Sequence, residues 1–148
     1  MNNFQEDKIS IYNNLCDNYF SIINDLIDFS SQNNIIPIKM NFYVPLFKDY
    51  LNNNKTEVIQ NSIKILLEYK NEILNFSIDS LSQNNSNIIE IKEMLNKNNL
   101  NKEMEIFNLF IEIKDNAILK LKLEDREIVK EYIELIILIL EKIKNLFI

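Results

Sequence analysis

The last stretch, Asp125 to Ile148, reads DREIVKEYIELIILILEKIKNLFI, and it constrains the fold more than any other part of the chain. On a helical wheel Ile128, Val129, Tyr132, Ile133, Leu135, Ile136, Ile137, Ile139, Leu140, Ile143, Leu146 and Phe147 fill an arc of roughly 200°, about twice an ordinary amphipathic stripe. One neighbour cannot cover so broad an arc. The spacing therefore predicts a central helix with several others packed around it, each large side chain contributing on the order of 1.5–3 kcal/mol on burial. The uninterrupted apolar run from Leu135 to Leu140 is bracketed by Glu134 and Glu141, far short of the roughly 20 residues a membrane span requires.

The remaining strip of that helix holds Glu127, Lys130, Glu131, Glu134, Glu141, Lys142 and Asn145, and Leu138 projects from its middle. Two readings apply to Leu138. Either a loop or neighbouring helix covers it, or it meets a partner, with Glu131, Glu134 and Glu141 forming the polar border of the contact.

Upstream, Tyr12, Leu15, Tyr19, Ile22, Leu26 and Phe29 recur at three-four spacing, with Cys16 and Ile23 widening the seam. A first helix over residues 5–30 follows. Ile36, Ile38, Met40, Phe42 and Val44 then alternate with Pro37, Lys39, Asn41 and Tyr43, as Leu119, Leu121 and Leu123 do with Lys120, Lys122 and Glu124. An extended connector after the first helix is one account, and a small two-stranded sheet with Pro37 on its edge is the other. Pro45 suits the first turn of a short helix through Leu51. Asn54 with Glu57, and Asn87 with Glu90, resemble capping boxes. They open a long third helix marked by Ile59 through Leu81, either continuous or broken near Asn75, and a short fourth, and a fifth begins near Asn101.

The sum is one all-α domain over residues 1–148, a bundle of five to six helices around the C-terminal one. A chain of 148 residues, 47% hydrophobic, suffices for one such core.

Absences narrow the chemistry. The chain has no glycine, histidine or tryptophan. Without histidine there is no Ser-His or Cys-His nucleophile pair and no imidazole metal ligand. Without glycine there is no phosphate loop, dinucleotide fingerprint or standard calcium loop. Positions with positive φ must then fall to asparagine. Carboxylates alone remain for metal binding, as Glu127, Glu131 and Glu134, Glu68 and Glu72, or Glu112 and Asp115. Interleaved lysines give these groups the pattern of a solvated surface. The expectation is a non-enzymatic protein with no cofactor and no metal.

A net charge of −6 speaks against nucleic acid or an anionic membrane as ligand, since both require a concentrated basic surface. Lys114, Lys120, Lys122 and Arg126 form one modest basic cluster, offset by Glu124 and Asp125. The single cysteine, Cys16, sits in the first helix's apolar stripe, where a buried thiol is expected. The opening MNNFQEDKISIYNN lacks the basic-then-apolar pattern of a secretory signal, so a cytoplasmic location is expected. A protein partner is the expected ligand, and the chain itself is expected to be a monomer or small homo-oligomer.

Three stretches, SIINDLID (Ser21 to Asp28), LFKDYL (Leu46 to Leu51) and LIILILEKIK (Leu135 to Lys144), fall in an order and chain length that resemble the poxvirus proteins with a Bcl-2-like fold. The Asn-Trp-Gly-Arg signature of cellular Bcl-2 relatives is absent, as it must be without Trp or Gly. The resemblance implies a non-enzymatic cytosolic antagonist of host death or innate signalling. Such a protein binds a helical peptide in a groove or a host protein on an exposed helix face. A structural, self-associating helical subunit and a carboxylate-based metal enzyme are the other classes compatible with the sequence.

Overall fold

The computed structural model describes residues 3–37 and 44–146. Among them the backbone is all-α, with no strand. In chain order the helices are α1 (Asn3–Gln32), α2 (Val44–Asn53), α3 (Lys55–Leu66), α4 (Lys70–Leu74), α5 (Ser86–Lys97), α6 (Asn101–Lys120) and α7 (Leu123–Leu146), with short 3-10 turns at Ile78–Ser80 and Ser82–Asn84. The long third helix expected from the apolar spacing is divided at Leu67–Tyr69 and stops at Leu74, where Asn75 is extended, so the break near Asn75 is present and the helix does not continue to Leu81. At the first division Tyr69 turns its ring edge-on to Phe107 at 5.8 Å.

Two helices end on asparagine in place of glycine. Asn34 and Asn99 take φ of 58° and 57°, the left-handed conformation that a chain without glycine must assign elsewhere. At each, the following amide reaches back around the helix end: Ile35 N–H donates to Ser30 O and Leu100 N–H to Leu95 O, both at 2.9 Å. This satisfies carbonyls that the terminating helix leaves open.

Capping at helix starts departs from the expected pattern. Asn54 stands at the N-cap of α3 without a side-chain cap bond, and its amide donates instead to Tyr50 O at 2.9 Å. At α5 the cap is Asn85, two residues earlier than expected, and its side chain accepts from Asn87 N–H and Ile88 N–H. Ser86 already belongs to the helix, so Asn87 lies too far in to cap it.

The core lies between α1 and α7, whose mutual contact is the most extensive, and is closed by α3, α4 and α6 against α7. Val129, Ile133, Ile136, Ile137, Ile139, Leu140 and Ile143 of α7 are buried. From α1 come Cys16, Tyr19, Phe20, Ile23, Leu26 and Ile27. Phe20 and Ile27 are thus core residues, while Leu15, Ile22 and Phe29 are only partly buried, because α1 is rotated to meet both α7 and its other neighbours. Deep in this core the Tyr19 hydroxyl bonds Ser62 Oγ at 2.6 Å.

The Leu119/Leu121/Leu123 alternation forms no strand. Residues through Lys120 continue α6, Leu123 begins α7, and Leu119 and Leu123 are exposed. The alternating stretch at residues 38–43 lies outside the described residues, as does Phe147.

Candidate functional site

The inner arc of α7 is narrower than its sequence suggests. Leu138 is 46% exposed, and so is Leu135, with Ile128 at 38%. No neighbouring element covers Leu138 fully, and two residues expected in the core stand beside it on the outside. The outward strip of α7 therefore carries a row of large apolar side chains, bordered by Glu127, Glu131 and Glu134, all exposed.

Of the four residues proposed for partner contact, Leu138, Glu131 and Glu134 share this strip. Glu141 turns aside to the Lys70 ammonium on α4 at 3.1 Å, an ion pair within the chain that fixes the strip's edge. Spacing could have revealed Ile128 and Leu135. With Leu138 they form a three-four series turned from the buried one by roughly a third of the helix circumference, Ile128 and Leu135 lying at the border of the buried arc and Leu138 furthest from it.

The basic cluster expected around Lys114 is dispersed. Lys120 and Lys122 are exposed, and Arg126 Nη2 donates to Leu121 O at 3.2 Å. Lys114 is fully buried, and its ammonium donates to Ser80 O at 2.9 Å, Glu72 O at 3.2 Å and Ser80 Oγ at 3.4 Å. Desolvation pushes its pKa below the ordinary value. Beside it Asp115 accepts from Ser82 N–H, at 3.3 Å, and from the Ser82 hydroxyl. Consecutive residues of α6 thus clasp the irregular segment between α4 and α5. An ammonium surrounded by carbonyls at the ends of short helical turns is held by their dipoles.

Two open clefts of about 440 Å³ each flank the core. One, between α4 and α5, is lined by Tyr69, Glu72, Asn87, Glu90, Ile91 and Met94. The other, between α1 and α3, includes Tyr12, Cys16, Asp17, Lys55 and Ile59. Burial pushes the Cys16 thiol up, which leaves little of the nucleophilic thiolate at neutral pH. Among the described residues no three Asp, Glu or Cys side chains are placed to hold a metal ion together, and no helix is long and apolar enough to cross a membrane.

Against known proteins the chain matches no protein-family model, no curated protein and no solved structure.

Proposed function

We propose that this chain is a non-enzymatic protein–protein interaction module that acts through the outer face of α7. A module of this kind works by occupying a surface of its partner, and in the form implied by the poxvirus resemblance that occupation neutralises the partner. The observation that carries the reading is the row Ile128, Leu135 and Leu138, held out from an acidic helix whose opposite face already fills the core. Large side chains kept half in water gain on the order of 1 kcal/mol each when a partner completes their burial. The glutamate border limits indiscriminate sticking and fixes orientation. A second reading, a self-associating helical subunit, uses the same face and is favoured by the spacing of its residues.

The test compares proteins captured from a native-cell lysate by the immobilised wild type, by Leu138→Glu and by Ile89→Glu. Ile89 is exposed to a similar degree on α5 and serves as the control. A protein held by wild type and Ile89→Glu but lost by a folded Leu138→Glu supports the reading. Identical capture by all three refutes it.

A further inference from the structure

We propose that the outer face of α7 pairs with the same face of a second copy of this chain, the two helices running antiparallel about a two-fold axis between residues 136 and 137. This rests on the reading of that face as a binding surface and names its occupant.

Along the outward strip Ile128, Glu131, Leu135, Leu138, Lys142 and Asn145 alternate at steps of three and four. That is the a/d spacing of a coiled-coil seam, and at 1.5 Å per residue it runs for about 26 Å. In an antiparallel pair each residue at the first kind of position meets one at the second kind on the other helix. Folding the strip onto itself about its midpoint sets Leu135 opposite Leu138 of the second copy, Glu131 opposite Lys142, and Ile128 opposite Asn145. Two-fold symmetry makes every one of these contacts twice.

The layers nearest the axis are then apolar, and the next layers outward join opposite charges. A parallel pair of the same helices would stack Glu131 on Glu131 and Lys142 on Lys142. Charge therefore selects the antiparallel arrangement.

The state of these residues within one chain agrees with that use. Leu135 and Leu138 are each 46% exposed, and both charged residues of the proposed pair are exposed. Among the described residues neither Glu131 nor Lys142 makes an ion pair. Glu141, which would otherwise add negative charge at the seam's edge, is already paired with Lys70. Glu134 remains on that edge and faces glutamate across the seam, a repulsion that works against tight association. One helix face also buries less than the roughly 800 Å² per partner of a standard interface. The pairing is accordingly reversible, with a dissociation constant on the order of tens to hundreds of micromolar.

Sedimentation equilibrium of the full chain over a concentration series tests this with wild type, Glu131→Lys, Lys142→Glu and the double variant. Wild type shifts from one chain towards two as concentration rises. Each single reversal places like charges together twice and weakens association about tenfold or more. The double variant restores the pairing, and so does mixing the two single variants in equal amounts. Circular dichroism verifies that each variant is folded, as expected for exposed positions.

A wild type that stays monomeric at millimolar concentration overturns the proposal, as does a dimer indifferent to both reversals. A double variant as weak as the single ones overturns the antiparallel register. The wider reading of α7 as a binding face is decided separately, by the Leu138-dependent capture of a different protein.

Discussion

Lys114 of α6 donates from its ammonium to the Ser80 carbonyl across 2.9 Å, and the bond joins α6 to the irregular segment between α4 and α5. The segment between α4 and α5 has two short 3-10 turns and few apolar anchors. Leu81 is buried and Phe76 packs partly against the core, and the polar attachment rests on Lys114 at Ser80 and on Asp115 at Ser82.

Replacing Lys114 therefore loosens that segment. Lys114→Met keeps most of the buried stem but leaves the Ser80 and Glu72 carbonyls without a donor, and costs about 1–3 kcal/mol. Lys114→Ala adds a cavity and costs about 2–4 kcal/mol. Urea denaturation gives both values, and hydrogen exchange at the 75–85 amides rises in each variant before global unfolding.

Two buried groups shape alkaline stability in opposite directions. Burial raises the Tyr19 hydroxyl from its ordinary value of 10.0, so above that pH the unfolded chain loses this proton while the folded chain retains it. Stability conferred by Tyr19 is complete below pH 10.0 and falls as pH rises beyond it. Lys114 is shifted down from 10.5. Between its folded value and 10.5 the unfolded chain holds the proton more firmly, so its penalty grows as pH falls through that window and vanishes above it. In denaturation curves at successive pH values, Tyr19→Phe flattens the alkaline loss. Lys114→Met removes the rise towards pH 10.5.

The two asparagine N-caps separate by function. Asn85→Ala removes an acceptor for two amides of α5 and costs about 1 kcal/mol. Asn54→Ala removes no N-cap bond, only the side-chain donation to Tyr50 O at the end of α2, and costs less than Asn85→Ala. Equal losses in thermal denaturation would contradict the different roles assigned to these side chains.

On α7 neighbouring leucines should respond unequally. Leu140→Ala, in the core, destabilises by about 2–5 kcal/mol, whereas Leu138→Ala changes stability by no more than about 0.5 kcal/mol. Chemical denaturation of the dilute monomer measures this without interference from association.

Much of the architecture is legible in residue spacing. The breadth of the apolar arc on the last helix implied several neighbours, and α7 packs against α1, α3, α4 and α6. The lack of glycine implied asparagine at positive φ, where Asn34 and Asn99 stand. The break between α3 and α4 was not legible, because Leu67, Glu68 and Tyr69 are ordinary helical residues and the turn there serves contacts with α6. The Leu119 to Leu123 alternation misled because a period of two, over five residues, is also met by a helix end followed by a short link.

The candidate face was half legible. Leu138 stands out on the polar strip, whereas the spacing places Leu135 and Ile128 with the core because they border its arc. Lys114 gave no sign of burial, since its neighbours in sequence include other charged residues.

Local chemistry and periodicity alone determined the all-α class, the central place of the last helix and the use of asparagine at helix ends, because each follows from interactions within a few turns of one segment. Tertiary structure decided which edge of α7 stayed outside, that Glu141 turned to Lys70, and that Lys114 became the buried clasp of a distant segment. Those outcomes depend on where the neighbouring helices lie, and the spacing within one helix does not encode the positions of the others.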